Sequence, residues 1–83
     1  MVIDENWGIP IDRVRDFFAR QPEGVQTPEG FAFGDCRVRL TPLSGTAVGK
    51  WSLPRTRVEM EGPREAVEAI HRRFFLRFLS AGG

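Results

Sequence analysis

The segment PREAVEAIHRRFFLRFLS, residues 63–80, limits the possible folds more than any other part of this chain. At 3.6 residues per turn, Val67, Phe74 and Phe78 fall in one row, with Ile70 and His71 on either side. A row of that size needs a surface to cover it. Gly62-Pro63 marks the helix start, with Pro63 expected at the first helical position and Glu65 in the positive first turn. Phe75 and Leu79 lie toward the edge of the row, and Leu76 faces nearly opposite. The second half of the helix is therefore apolar over more of its circumference than one packed face requires.

Strands upstream supply the surface. In FAFGDCRVRLTPL, Cys36, Val38 and Leu40 alternate with Arg37, Arg39 and Thr41, the pattern of a half-buried strand. Phe31 and Phe33 are out of phase with Cys36, so Gly34-Asp35 must be a turn or bulge that resets the phase. Ser44-Gly45 reads as the next reversal and Thr46–Trp51 as a strand weakened by Gly49. After Pro54, Thr56, Val58 and Met60 alternate with Arg55, Arg57, Glu59 and Glu61.

Nearer the N-terminus, Ile11, Val14, Phe17 and Phe18 recur at helical spacing between Pro10 and Pro22, which predicts a helix over 10–21. Asp16 and Arg20 form an i,i+4 pair in the favourable order. Residues 22–30 contain Pro-Glu-Gly twice and read as a connector of two type I turns. Residues 1–9 read as an arm and 81–83 as a tail. The expected fold is one two-layer α+β domain of order α-β-β-β-α. Its small antiparallel sheet carries both helices on one face.

Composition narrows the class. The 83 residues suffice for a single domain, and seven Phe with two Trp give enough apolar area for collapse. No apolar run reaches the roughly 18 residues of a membrane span, and the early acids of MVIDENWGIP do not form a secretory signal. Cys36 is the only cysteine, which places the expected domain in a reducing compartment, the cytoplasm. Residues 1–36 hold seven acids and three Arg, net −4; residues 37–83 hold nine bases and four acids, net +5. Eleven of the twelve basic residues are Arg, as a GC-rich genome would also produce.

No catalytic, metal or cofactor constellation is expected. The stretch Gly45–Trp51 approaches a phosphate-binding loop, but it has three residues between its glycines and Trp51 where Ser or Thr must follow Lys50. One Cys and one His do not build a zinc site. His71 reads as a packed helix histidine with one nitrogen satisfied, and Cys36 as a small buried hydrophobe. Ser44 lacks the surroundings of a nucleophile elbow.

Arg37, Arg39, Arg55 and Arg57 share the outward face of two strands and are the candidates for binding anions or nucleic acid. The helix-sheet-helix order resembles that of double-stranded-RNA-binding domains. Those domains carry a Lys cluster at the start of the last helix, where this chain has Glu65 and Glu68. The outward positions also offer no aromatic on which a single-stranded base would stack. Cross-strand Arg–Glu pairing on a solvated face is the simpler expectation. The basic stretch IHRRFFLRFL looks like a membrane-surface helix, but its best apolar row is needed by the core, so no membrane association is expected.

Phe75, Leu76 and Leu79 are the candidates for partner binding, either in a homodimer built on the last helix or against another protein. In the competing arrangement, the loop around Trp7 folds over that helix and covers them. The terminal Gly82-Gly83 resembles the tail of ubiquitin-like carriers, in which the tail follows a strand and the main helix lies in mid-chain. Here a helix precedes the glycines, which therefore read as its stop. The expected function is a non-enzymatic interaction or regulatory domain, with nucleic-acid binding as the alternative.

Overall fold

The computed structural model describes residues 1–43, 47–48, 51–52 and 54–81. In chain order the elements are β1 (Val2–Trp7), α1 (Ile11–Ala19), β2 (Val25–Thr27), β3 (Gly30–Phe33), β4 (Cys36–Leu43), β5 (Ala47–Val48), β6 (Trp51–Ser52), β7 (Arg55–Glu61) and α2 (Arg64–Ala81). Five strands form one sheet in the order β1-β7-β4-β3-β2, with every pairing antiparallel. Both helices cover one face of it, giving the expected two-layer α+β domain.

The core lies between the layers. Val14 and Phe18 of α1, and Val67, Ile70, Phe74 and Phe78 of α2, bury themselves against Phe31, Phe33, Cys36, Val38, Leu40, Val58 and Met60. Phe74 is fully enclosed. It stacks on Phe18 at 5.5 Å and 13°, and meets Trp7 and Phe78 at 5.0 Å and Phe17 at 5.8 Å. Among the described residues Thr56 is the buried polar one on this face, and its hydroxyl donates to the Ile9 carbonyl at 2.6 Å. That bond ties the loop after β1 to the sheet and satisfies the buried hydroxyl.

Several boundaries differ from the sequence expectation. Residues 1–9 are not a free arm: Val2–Trp7 pairs along the whole of β7, from Val2↔Glu61 to Trp7↔Thr56. The 22–30 connector keeps its turns, but Val25–Thr27 between them is an edge strand on β3. Pro10 sits one residue before α1 rather than inside it (φ −59°, ψ 141°), and its carbonyl accepts from Arg13 and Val14. Pro63 precedes α2 in the same way, with its carbonyl accepting from Val67 at 3.0 Å. Where one strand was expected over Thr46–Trp51, β5 and β6 pair with each other as a separate short hairpin. The Ser44-Gly45 reversal, and with it most of the phosphate-loop-like stretch, lies outside the described residues, as does Gly82-Gly83.

The predicted phase reset is a two-residue hairpin. Phe33 pairs with Cys36, and Gly34 takes φ +59° while Asp35 does not go positive, the pattern of a II′ turn. All of Phe31, Phe33, Cys36, Val38 and Leu40 thereby face the helices. Cys36 is fully covered, and burial pushes its thiol pKa up. Its labelling by a thiol reagent at mildly alkaline pH is expected to follow the unfolding transition in denaturant. Fast labelling of the native protein would contradict this packing.

Candidate functional site

The turn that seats α2 on the sheet also decides what it leaves outside. With Val67, Ile70, Phe74 and Phe78 turned inward, the positions between them face out. Phe75 remains 38% exposed and Leu76 and Leu79 55% each, on a helix of 18 residues. These are the three residues singled out from sequence. Trp7 gives Phe75 partial cover, its ring lying edge-on at 5.8 Å. The competing arrangement, with the three residues covered by the loop around Trp7, is met only on the flank of Phe75. Leu76 and Leu79 stay open.

Trp7 is held there by a hydrogen-bond cluster. Glu5 and Trp7 lie on the helix-facing side of β1, and His71 lies on the flank of α2 nearest them. Glu5 Oε1 accepts the Trp7 indole N–H at 3.2 Å and lies 2.8 Å from His71 Nε2. A carboxylate oxygen only accepts, so Nε2 is the donor. The imidazole also leans on Phe75, with ring centroids 5.9 Å apart. His71 is thus a packed histidine with one nitrogen satisfied, as expected. Its partner, 66 residues away in sequence, carries no local signal. A second tie, Arg73 to Glu23, fastens the other flank of α2 to the first Pro-Glu-Gly turn and holds the Glu23 carboxyl below its ordinary pKa.

The opposite face of the sheet carries Arg37, Arg39, Arg55 and Arg57, all exposed. The register intersperses them with acids. Arg37 stands opposite Glu61, and Arg39 opposite Glu59. Arg57 forks onto Asp4 at 3.0 and 2.6 Å and lies 3.8 Å from Glu59, while Arg39 reaches Glu29 at 3.1 Å. The hydrogen bond from Arg57 holds the Asp4 carboxyl below its ordinary pKa and raises the guanidinium's own. The strands curl around a hollow of about 610 Å³ on this side, lined among others by Val2, Arg37, Arg39, Glu59 and Glu61. Four arginines share this face with four acids.

A protein-family model described as "Archaeal MoaD-like protein" matches residues 4–83. The chain belongs to this family. The match begins within β1, runs through the end of α2 and leaves out residues 1–3. No curated protein and no solved structure matches the chain. Among the described residues there is no group of three or more His, Cys, Asp or Glu placed to hold a metal ion, and no helix long and apolar enough to cross a membrane.

Proposed function

We propose that this MoaD-like chain is a small, non-enzymatic, cytoplasmic interaction domain that self-associates through the outer face of α2. The observation that carries the reading is the exposure of Phe75, Leu76 and Leu79 on a helix whose inner face is fully used. Three large apolar side chains at i, i+1 and i+4 form one continuous patch, and a patch of this kind gains from burial against a like surface. A two-fold crossing at Leu76 places the same patch on both sides of the contact. The anchoring of α2 by Glu5, Trp7 and Glu23 presents the patch on a rigid support, which lowers the ordering cost of association. The alternative, nucleic-acid binding by Arg37, Arg39, Arg55 and Arg57, draws less support because Asp4, Glu29, Glu59 and Glu61 occupy the same face.

Sedimentation equilibrium from micromolar to millimolar protein tests the reading. The wild type is expected to follow a monomer–dimer equilibrium, with Leu76→Arg weakening it at least about tenfold, or roughly 1.4 kcal/mol. Because Leu76 is exposed, stability should change by no more than about 0.5 kcal/mol. Deleting Gly82 and Gly83 should leave association unchanged. A monomer at every concentration, indifferent to Leu76→Arg, would sink the proposal.

A further inference from the structure

The free edge of β1 carries an inference that does not depend on self-association. In an antiparallel ladder, residue pairs that exchange both backbone hydrogen bonds alternate with pairs that exchange neither. Met1 and Gly62 exchange both, at 2.9 and 3.2 Å. Stepping by two along the register, Ile3, Glu5 and Trp7 bond inward to Met60, Val58 and Thr56. The N–H and C=O groups of Val2, Asp4 and Asn6 therefore point away from the sheet. Among the described residues, no strand pairs with that side. It is an open hydrogen-bonding edge six residues long.

Side chains on either side of this edge define what fits it. On the open face, Asp4, Glu59 and Glu61 outnumber Arg57 beside the edge. On the helix face, Ile3 and Trp7 are only partly covered, and Phe75 overhangs from α2. An incoming strand would thus meet acids with one set of its alternate side chains and apolar surface with the other. A second copy of β1 is a poor occupant. The registers that overlap most of the strand place Asp4 opposite Asp4 or Glu5 opposite Glu5, and like charges directly opposite one another destabilise a pair.

We propose that β1 is a strand-addition site for an extended segment of another polypeptide, with Lys or Arg alternating with apolar residues. The backbone of the segment bonds to Val2, Asp4 and Asn6. Its basic side chains face Asp4, Glu59 and Glu61, and its apolar ones rest on Ile3, Trp7 and Phe75. Main-chain bonds supply the affinity and the two alternating faces the specificity.

The probe is a blocked hexapeptide of alternating Lys and Val, with the Glu–Val analogue as control, followed by backbone amide NMR on the whole chain. The Lys–Val peptide should shift the amides of Val2, Asp4 and Asn6 and slow their exchange with solvent, and the Glu–Val peptide should not. Asn6→Pro removes one outward N–H and no ladder bond, so it should keep the fold and weaken binding at least about tenfold. Should Asn6→Pro fail to fold, the double variant Glu59→Lys, Glu61→Lys serves instead, and should reverse the preference between the two peptides. Leu76→Arg should leave peptide binding unchanged. Failure of the Lys–Val peptide to bind at millimolar concentration would overturn the proposal. So would equal binding to Asn6→Pro, or shifts confined to Arg37 and Arg39.

Discussion

Phe74→Ala should cost about 3–5 kcal/mol, the range for deleting a fully enclosed aromatic ring. A domain of this length has about 4–12 kcal/mol in total. The variant is therefore expected to melt some tens of degrees lower, at roughly 4–8 °C per kcal/mol, or to be unfolded at room temperature. Phe74 touches four other aromatic rings at once, from β1, α1 and α2, so its removal loosens both helices rather than one contact. Phe74→Leu refills most of the space and should cost clearly less. Urea unfolding followed by circular dichroism measures both variants. A loss below about 1 kcal/mol for Phe74→Ala would mean that α2 is not seated on this row of residues.

The second large effect is expected at a residue with no side chain. Gly62 joins β7 to α2 at φ +149°, a backbone conformation that residues with a Cβ rarely adopt. An added Cβ would also lie 2.5 Å from the Asp35 carbonyl oxygen and 3.1 Å from the Cys36 Cα, both backbone atoms of the β3–β4 hairpin. Neither can give way without disturbing the ladder. Conformational strain of about 1–3 kcal/mol and overpacking of a similar size add to roughly 2–6 kcal/mol for Gly62→Ala. At Gly8, where nothing lies within 4 Å of the same added atom, Ala should be nearly neutral. Equal melting temperatures for the two variants would contradict the close approach of the hairpin to Gly62.

These two sites show which parts of the fold were legible in the sequence. The row containing Phe74 was readable because a helix repeats its contacts every three or four residues, and all members lie within one segment. The alternation in β4 and β7 was readable for the same reason, and Gly34-Asp35 could be inferred from the phase break it repairs. Gly62 was recognisable as a helix boundary. That it must be glycine depends on Asp35, which is adjacent only in the folded chain. Strand β1 was missed because its inward positions are Ile3, Glu5 and Trp7, so the apolar alternation is broken by a carboxylate. That carboxylate belongs there because His71 and the Trp7 indole donate to it. Strand β2 has only three residues between two prolines and exists because β3 pairs with it.

The same distinction applies to the surfaces. Exposure of Phe75, Leu76 and Leu79 followed from the surplus of apolar positions around one helix, a local count. The arginine face was also visible locally, but its acids were only partly so. Glu59 and Glu61 alternate with Arg55 and Arg57 within one strand, whereas Asp4 and Glu29 arrive from β1 and a turn. The free backbone edge of β1 could not be read locally at all, since it exists only once β1 is known to pair on one side.

The reading proposed above has copies of this chain meet at the outer face of α2. Chemical shifts recorded across a wide range of protein concentration test it residue by residue. Concentration-dependent shifts are expected at Arg72, Phe75, Leu76 and Leu79 and at the Trp7 indole, all abolished by Leu76→Arg, with Arg37, Arg39, Arg55 and Arg57 unmoved. Shifts that stay fixed at every concentration, or that move on the arginine face and not on α2, would contradict it.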